Sequence, residues 1–423
     1  MRILLVNGRV RNLGDRAIIQ CMTEQLRSAF PACELIYDAD EPEVMRERLP
    51  EARIVPALVD VRRLRPVRGG YSLAYLVVNA PYLALVAARY LYFWACAACG
   101  LTGSLVPLVS AYRMADLVVW AGGDYVSDVY GARYLLRLLE LRLAKLMGKT
   151  VVLYAMTIGP FRDEGAAQRA GRALKIADLI LARDQGTVDL LARAGVTANV
   201  RRTADCVLAL RASLTPRAEA AIARLGLDRR AVGFAPIDRM YLGLSEAEYR
   251  DYEEGLAKLM RAMLDAGRQT ILIAATTEDL ACCREIDRHF GLGVGILDAL
   301  ELEPGEIKAI LGGLALIVSS RMHPIIIGTG AGTPVLGVNR LPKMKDYLDM
   351  IGLGDHYLPL TPFRPDRVQE MAADLLVRNE EIRRTLAAGL APAIVLSSGN
   401  IEHVRRLWDG RRPSGPMTRR HRT

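Results

Sequence analysis

Residues 2–39 read "RILLVNGRVRNLGDRAIIQCMTEQLRSAFPACELIYDA". The opening "RILLVN" is an apolar run of strand length. "GDRAIIQCMTEQLRSAF" then sets apolar residues near positions 17, 18, 21, 22 and 26, the spacing of one face of an α-helix. "ELIYDA" is a second short run. Strand, helix, strand in that order predicts a βαβ unit, and with it a parallel sheet covered by helices.

The pattern recurs along the chain. "DLVVWAG", "TVVLYAM" and "LILAR" each end in polar or glycine-rich residues and lead into a helical pattern. A second series starts near Ala231 with "AVGFAP", "QTILIAA", "VGILD", "LALIVSS" and "PVLGVN". Between the two, "LTPRAEAAIARLGLDRR" reads as a linker and an entry helix. A chain of 423 residues is too long for one ordinary core. We therefore expect two consecutive Rossmann-like α/β domains, 1–215 and 225–395, with the boundary near 210–230. Residues 396–423 are expected to form a C-terminal helix and a basic, disordered tail, solvated or touching anionic lipid.

Residues 71–112 interrupt the first series and carry one charge, Arg89. Arginines 62, 63, 65, 68 and 113 frame them. Asn79-Ala80-Pro81 is expected to break the first half, and Gly100, Gly103 and Pro107 to shorten the second, so neither half makes a membrane span. The expectation is an apolar helical insert, either packed on the first domain or touching a membrane surface.

Composition narrows the function classes. The net charge of +9 favours anionic partners. Only 6% of residues are aromatic, and no basic stretch is interleaved with them as stacking on bases requires, so nucleic acid is not an expected partner. "MRILLVNGRV" is too short for the apolar region of a signal peptide. Seven scattered cysteines give no disulfide framework, which points to a reduced, cytoplasmic protein. Cys96 and Cys99 form a C-x-x-C with no second pair, and read as buried small apolar residues.

In open α/β sheets ligands gather beyond the carboxyl ends of strands, near helix N-termini that favour anions. Four places meet that rule. Asn12-Leu13-Gly14-Asp15 follows the first strand; Gly14 permits close backbone approach, and Asp15 either caps the helix or acts on a ligand. Gly122-Gly123-Asp124 follows "DLVVW", as a tight turn or a backbone that crowds a ligand. Arg183 follows "LILA", placed to grip a carboxylate or phosphate or to pair with Asp184 or Asp189. Arg321 and His323 follow "LALIVSS", with Lys343 twenty residues beyond the His.

Together, "NGRVRNLGDRAI", "DLVVWAGGDYVSD", "ADLILARDQGTVDLLARAG", "TADCVLAL" and "SSRMHPIIIGTGAGTPVLGVNRLPK" occur in the order seen in the polysaccharide pyruvyl transferase family, which the chain resembles over about residues 1–350. The last stretch is the most specific: an R-x-H, a Gly-x-Pro ending eleven residues on and a Pro-Lys. Two positions depart from the pattern. Pro324 follows the His where a small or apolar residue is usual, and Asp124 stands where a third Gly is common.

The resemblance implies a two-domain, glycosyltransferase-B-like fold with the site in the cleft between domains. It implies transfer of a pyruvyl group from phosphoenolpyruvate to two hydroxyls of a sugar, free or lipid-linked, giving a cyclic ketal and phosphate. Phosphoenolpyruvate brings about three negative charges near neutral pH, so cationic groups are needed to hold it. On this view Arg183, Arg321 and Lys343 hold the anion and His323 donates the proton. Asp15, or else Asp124, is the base, and Asn12, Gly14, Gly122 and Gly123 shape the floor. No metal and no cofactor beyond the co-substrate is expected. A nucleotide-sugar glycosyltransferase of the same fold is the alternative. It needs an acid in the second domain for ribose hydroxyls, and the first acidic residue after His323 is Asp346. A non-enzymatic membrane or scaffold protein is a further alternative, in which Arg321 and His323 are dispensable. Oligomeric state is not fixed by the sequence.

Overall fold

The computed structural model describes residues 1–60, 73–103, 105–130, 133–239 and 244–411. Arg62, Arg63, Arg65, Arg68 and the expected tail 412–423 lie outside the described residues.

The first sheet comprises β1 (Arg2–Gly8), β2 (Glu34–Ala39), β3 (Arg53–Pro56), β4 (Leu117–Trp120), β5 (Gly123–Val126), β6 (Thr150–Ile158), β7 (Leu179–Ala182) and β8 (Val200–Arg202). Its order is β3-β2-β1-β4-β6-β7-β8, with β5 paired to β6 off that path. The second sheet comprises β9 (Val232–Ala235), β10 (Thr270–Ala274), β11 (Gly295–Asp298), β12 (Leu316–Ser319), β13 (Val335–Asn339) and β14 (Tyr357–Pro359), in the order β11-β10-β9-β12-β13-β14. All pairs are parallel. The winding direction reverses between β1 and β4, and again between β9 and β12. A ligand crevice opens where the winding reverses, and two of them here face one cleft.

Residues Ile3–Val6 of β1 are buried on both faces, as a central strand under two layers of helix requires. Helix α1 (Leu13–Ala29) begins where the Asn12 side chain accepts a hydrogen bond from the Asp15 backbone N–H (2.7 Å). The cap is therefore Asn12 and not Asp15, which frees the Asp15 carboxylate from that duty.

Helices α2 (Pro42–Arg48), α3 (Leu73–Ala98), α4 (Pro107–Met114) and α5 (Arg133–Leu146) follow in the first half of the chain. Asn79-Ala80-Pro81 does not break α3, against expectation. Pro81 and Val77, the residue whose carbonyl loses its helical donor, both lie on the exposed face, where water replaces the missing bond. One stripe of α3 (Val86, Tyr90, Phe93, Cys96) is buried with Tyr112, Trp120 and Leu141 in the core over one face of the first sheet. Cys96 is buried as expected, whereas Cys99 is exposed. No described helix is long and apolar enough to cross a membrane.

A second apolar cluster runs without interruption from α1 on the other face of the first sheet through the whole second domain. Polar contacts reinforce it. The Leu13 N–H donates to the Ala275 carbonyl (2.9 Å), and the buried Arg16 guanidinium donates to the carbonyls of Ala299, Leu300 and Leu302. Position 396 marks no boundary: one helix, Asn379–Asp409, runs through it. That helix returns to the first domain, where Ser397 Oγ donates to the Asp205 carbonyl (2.7 Å) and Asn400 Nδ2 to that of Ala204 (2.9 Å).

Candidate active site

The loops after β1, β4, β7 and β12 converge on a cavity of about 290 Å³ between the domains. The first domain contributes Asn12, Gly14, Asp15, Gly123, Asp124 and Arg183, and the second Arg321, His323 and Lys343. Nine of the ten residues expected from sequence thus meet in one place. Gly122 does not. A Cβ there would stand 3.1 Å from the Ala155 carbonyl oxygen and 3.2 Å from that of Tyr154, so it serves close backbone packing beneath the cavity.

The contact that closes the two halves is Gly14 against His323. A Cβ on Gly14 would lie 1.9 Å from His323 Nδ1, so only glycine leaves room for the imidazole at the start of α1. The other ring nitrogen, Nε2, is buried, has no hydrogen-bond partner among the described residues, and stands 3.9 Å from Asp205 Oδ2. Burial pushes His323 down to about 4, with Arg183 and Lys343 acting the same way and Asp205 opposing them. His323 is thus a neutral base before substrate binds. The expected imidazolium requires an anion beside it. Asp15 moves the other way: burial, aided by Asp124, pushes its carboxyl up to about 6 against the pull of Arg9, Asn12 and Arg183.

The expected cations have partners. Arg183 is buried, its Nε donating to Thr157 Oγ1 (2.8 Å) and its Nη1 to Asp205 Oδ2 (2.6 Å). Neither Asp184 nor Asp189 is its hydrogen-bond partner; Asp184 instead caps the helix Gln185–Arg193. Although burial disfavours its charge, Asp205, Asp124 and Asp184 raise the Arg183 pKa overall. Arg321 reaches Asp279 Oδ1 at 2.5 Å. Lys343 forms an ion pair with Asp124 across the cleft, which ties up the second candidate base.

Pro324 has a local explanation. Arg321 is the N-cap of the helix Met322–Gly330, so Pro324 falls in the first turn, where a missing N–H breaks no helical bond. The helix start consequently offers an anion one donor fewer.

Several site residues were not singled out from sequence. Asp205, within "TADC", accepts from Arg183 and stands near His323 without a hydrogen bond to it. Asn339, at the end of β13, donates from Nδ2 to the Ser320 carbonyl (2.5 Å) and accepts from the Leu341 N–H (2.7 Å), holding the β12 and β13 loops together. On the first-domain side, Arg137 of α5 lies 3.1 Å from Glu140 and 3.8 Å from both Asp38 and Asp40. Burial raises Asp38, against the opposing charge of Arg137. Asn7 joins this cluster with φ +67°, its N–H donating to Asp38 Oδ2 (3.1 Å) and its Oδ1 accepting from Arg137 (3.3 Å). Asp38 and Asn7 end strands, so the carboxyl-end rule pointed towards them; Arg137 sits mid-helix without any motif. Among the described residues no group of three or more His, Cys, Asp or Glu side chains is arranged to hold a metal ion.

Residues 12–342 match the model of a protein family described as polysaccharide pyruvyl transferase. The chain belongs to the polysaccharide pyruvyl transferase family. Within the wider set of proteins it is 23% identical over 305 residues to the amylovoran biosynthesis protein AmsJ of Erwinia amylovora, covering 67% of this chain and 71% of that one. Among solved structures it resembles the UDP-GlcNAc 2-epimerase of Methanocaldococcus jannaschii (TM-score 0.57, 11% identity, 97% and 100% of the two chains). It also resembles a UDP-glucosyltransferase of Polygonum tinctorium (TM-score 0.55, 11% identity, 96% and 98%). These likenesses bear on fold alone. They establish the glycosyltransferase-B-like arrangement of two α/β domains for this member of the family.

Proposed function

We propose that this pyruvyl transferase family member moves the pyruvyl group of phosphoenolpyruvate onto two hydroxyls of a sugar in an exopolysaccharide or its precursor. The observation that carries this reading is the meeting of His323 with Gly14 and Asp15 in a cavity that also presents Arg183, Arg321 and Lys343.

The chemistry follows from charge. The anion enters among the three cations, offsetting the repulsion that Arg183 and Lys343 exert on the imidazole. His323 then gains a proton that the free enzyme holds on Asp15 or draws from solvent. His323 delivers it to the methylene carbon of phosphoenolpyruvate, which becomes a methyl group and leaves the central carbon electrophilic. A sugar hydroxyl attacks that carbon and gives its proton to ionised Asp15. The carbon–oxygen bond to phosphate breaks, and the second hydroxyl closes the ketal while its proton leaves with phosphate. Fixed cations stabilise the charge throughout.

The nucleotide-sugar alternative finds less support. The second-domain residues that line the cavity include no acid among those described, and Asp346 faces Gly186 of the first domain instead. Phosphate release from phosphoenolpyruvate, followed with a panel of free and lipid-linked glycosides, tests the proposal. Release that depends on acceptor is expected. Inertness towards every acceptor, together with turnover of a nucleotide sugar, overturns it.

A further inference from the structure

Helix α3 is 26 residues long, about 39 Å at 1.5 Å per residue. Its inward stripe belongs to the core, and its outward face is unusual. Val77 is 66% exposed, Leu91 66% and Trp94 51%, with exposed alanines between them and Leu105 84% exposed just beyond the helix. No charged side chain stands on that face. The one charge in α3, Arg89, donates sideways to the Leu58 carbonyl at 2.9 Å. A helix that faces water carries polar residues outward, and this one does not. Helix α5, which packs against α3, continues the theme with exposed Leu135, Leu139 and Leu146. Exposed Arg133 and Arg142 stand on the same helix, and four arginines (62, 63, 65 and 68) precede α3 in the chain. The same two helices line the cavity, through Tyr90 and through Arg133, Leu136 and Arg137.

We propose that the outward face of α3, with the leucines of α5, seats on the surface of an anionic lipid bilayer. It would lie along the headgroup boundary, with the cavity opening beside it. An uncharged face with the exposed arginines Arg133 and Arg142 on the helix packed beside it complements anionic headgroups. A second copy of the chain is a poorer occupant, because a two-fold contact brings the same arginines towards their own copies. The inference rests on the proposed function in one respect: the acceptor sugar is then carried on a membrane lipid and presented at the bilayer surface.

The test is flotation of the full-length protein with phosphatidylcholine vesicles, with and without phosphatidylglycerol. Wild type floats with the anionic vesicles and is released by salt. Leu91→Glu with Trp94→Glu lowers partitioning about tenfold or more. The same double variant keeps wild-type phosphate release with a short soluble glycoside, which also shows that it folds. With a vesicle-anchored acceptor its rate falls about tenfold, in step with partitioning. Leu135→Glu with Leu139→Glu, on the other helix, repeats the experiment should the first pair fail to fold. Wild type that never floats with anionic vesicles overturns the inference. So does a dimer in lipid-free sedimentation that Leu91→Glu with Trp94→Glu splits. A protein that floats as described but releases no phosphate with any acceptor leaves the docking intact and sinks the proposed activity instead.

Discussion

The two walls of the cleft differ in the charges they present. Cavity residues of the second domain include Arg321, His323 and Lys343 and no described acid, whereas those of the first mix Asp15 and Asp124 with Arg9, Arg137 and Arg183. A wall with only cations and a neutral imidazole suits a multiply charged anion. One with acids among its arginines suits hydroxyls that must be held and deprotonated. Two buried titratable groups, one on each wall, move in opposite directions because one is an acid and the other a base. Burial disfavours the charged form of each, raising the Asp15 carboxyl and lowering the His323 imidazole.

The largest effect expected from breaking this asymmetry is that of His323→Ala. Transfer falls about a thousandfold or more, while circular dichroism is unchanged, because the imidazole makes no structural hydrogen bond through Nε2. Wild-type turnover in that variant removes His323 from the reaction. Asp15→Asn comes next, with a rate loss of about a hundredfold and a pH profile that no longer rises through about 6. Its stability should move the opposite way. Asp15 has a folded pKa above its unfolded value, so its contribution is fully present below about pH 4 and is lost as pH rises through about 6. Asn mimics the protonated form. The variant is therefore expected to be more stable than wild type at pH 7.5 by as much as about 2–3 kcal/mol, and no more stable at pH 4. Thermal melts at the two pH values check the sign.

The walls touch through Lys343 and Asp124, both mostly buried. Lys343→Ala and Asp124→Asn are each expected to lower kcat/KM for phosphoenolpyruvate about tenfold, with a coupling of about 1 kcal/mol in the double-mutant cycle. Additivity would mean that the pair does not act as a unit. Gly122→Ala sits at the bottom of the scale. It costs about 1 kcal/mol of stability through crowding of the Ala155 carbonyl, with less than about a threefold change in rate. Measured together, the four report separately on proton donor, proton acceptor, cross-cleft contact and supporting backbone.

Much of this arrangement is legible in the sequence, because the signals are local. β1, β7 and β12 are apolar runs ending in polar loops, and Gly14, Arg183, Arg321 and His323 follow those ends. What escaped is what depends on partners distant in sequence. Arg183 is held by Asp205 and Arg321 by Asp279, pairings 22 and 42 residues apart that no spacing rule supplies. The protonation of His323 follows from burial between two domains, which a strand-end motif does not encode. β8 and β14 are three residues each, too short for a period to register. Pro81 was expected to end a helix and does not, because propensity yields to tertiary packing of the stripe beneath it.

The helix Asn379–Asp409 gives the cleft a mechanical character. The chain crosses between domains once in the linker after β8 and again where this helix returns to grip the carbonyls of Ala204 and Asp205. These crossings add to the continuous apolar core and to the Leu13 and Arg16 hydrogen bonds that already join the domains. Asp205 lies at the second crossing, its carbonyl accepting from Ser397 and its carboxylate from Arg183. The residue that stands between Arg183 and His323 is thereby braced by the last helix of the chain as well as by its own strand-end loop.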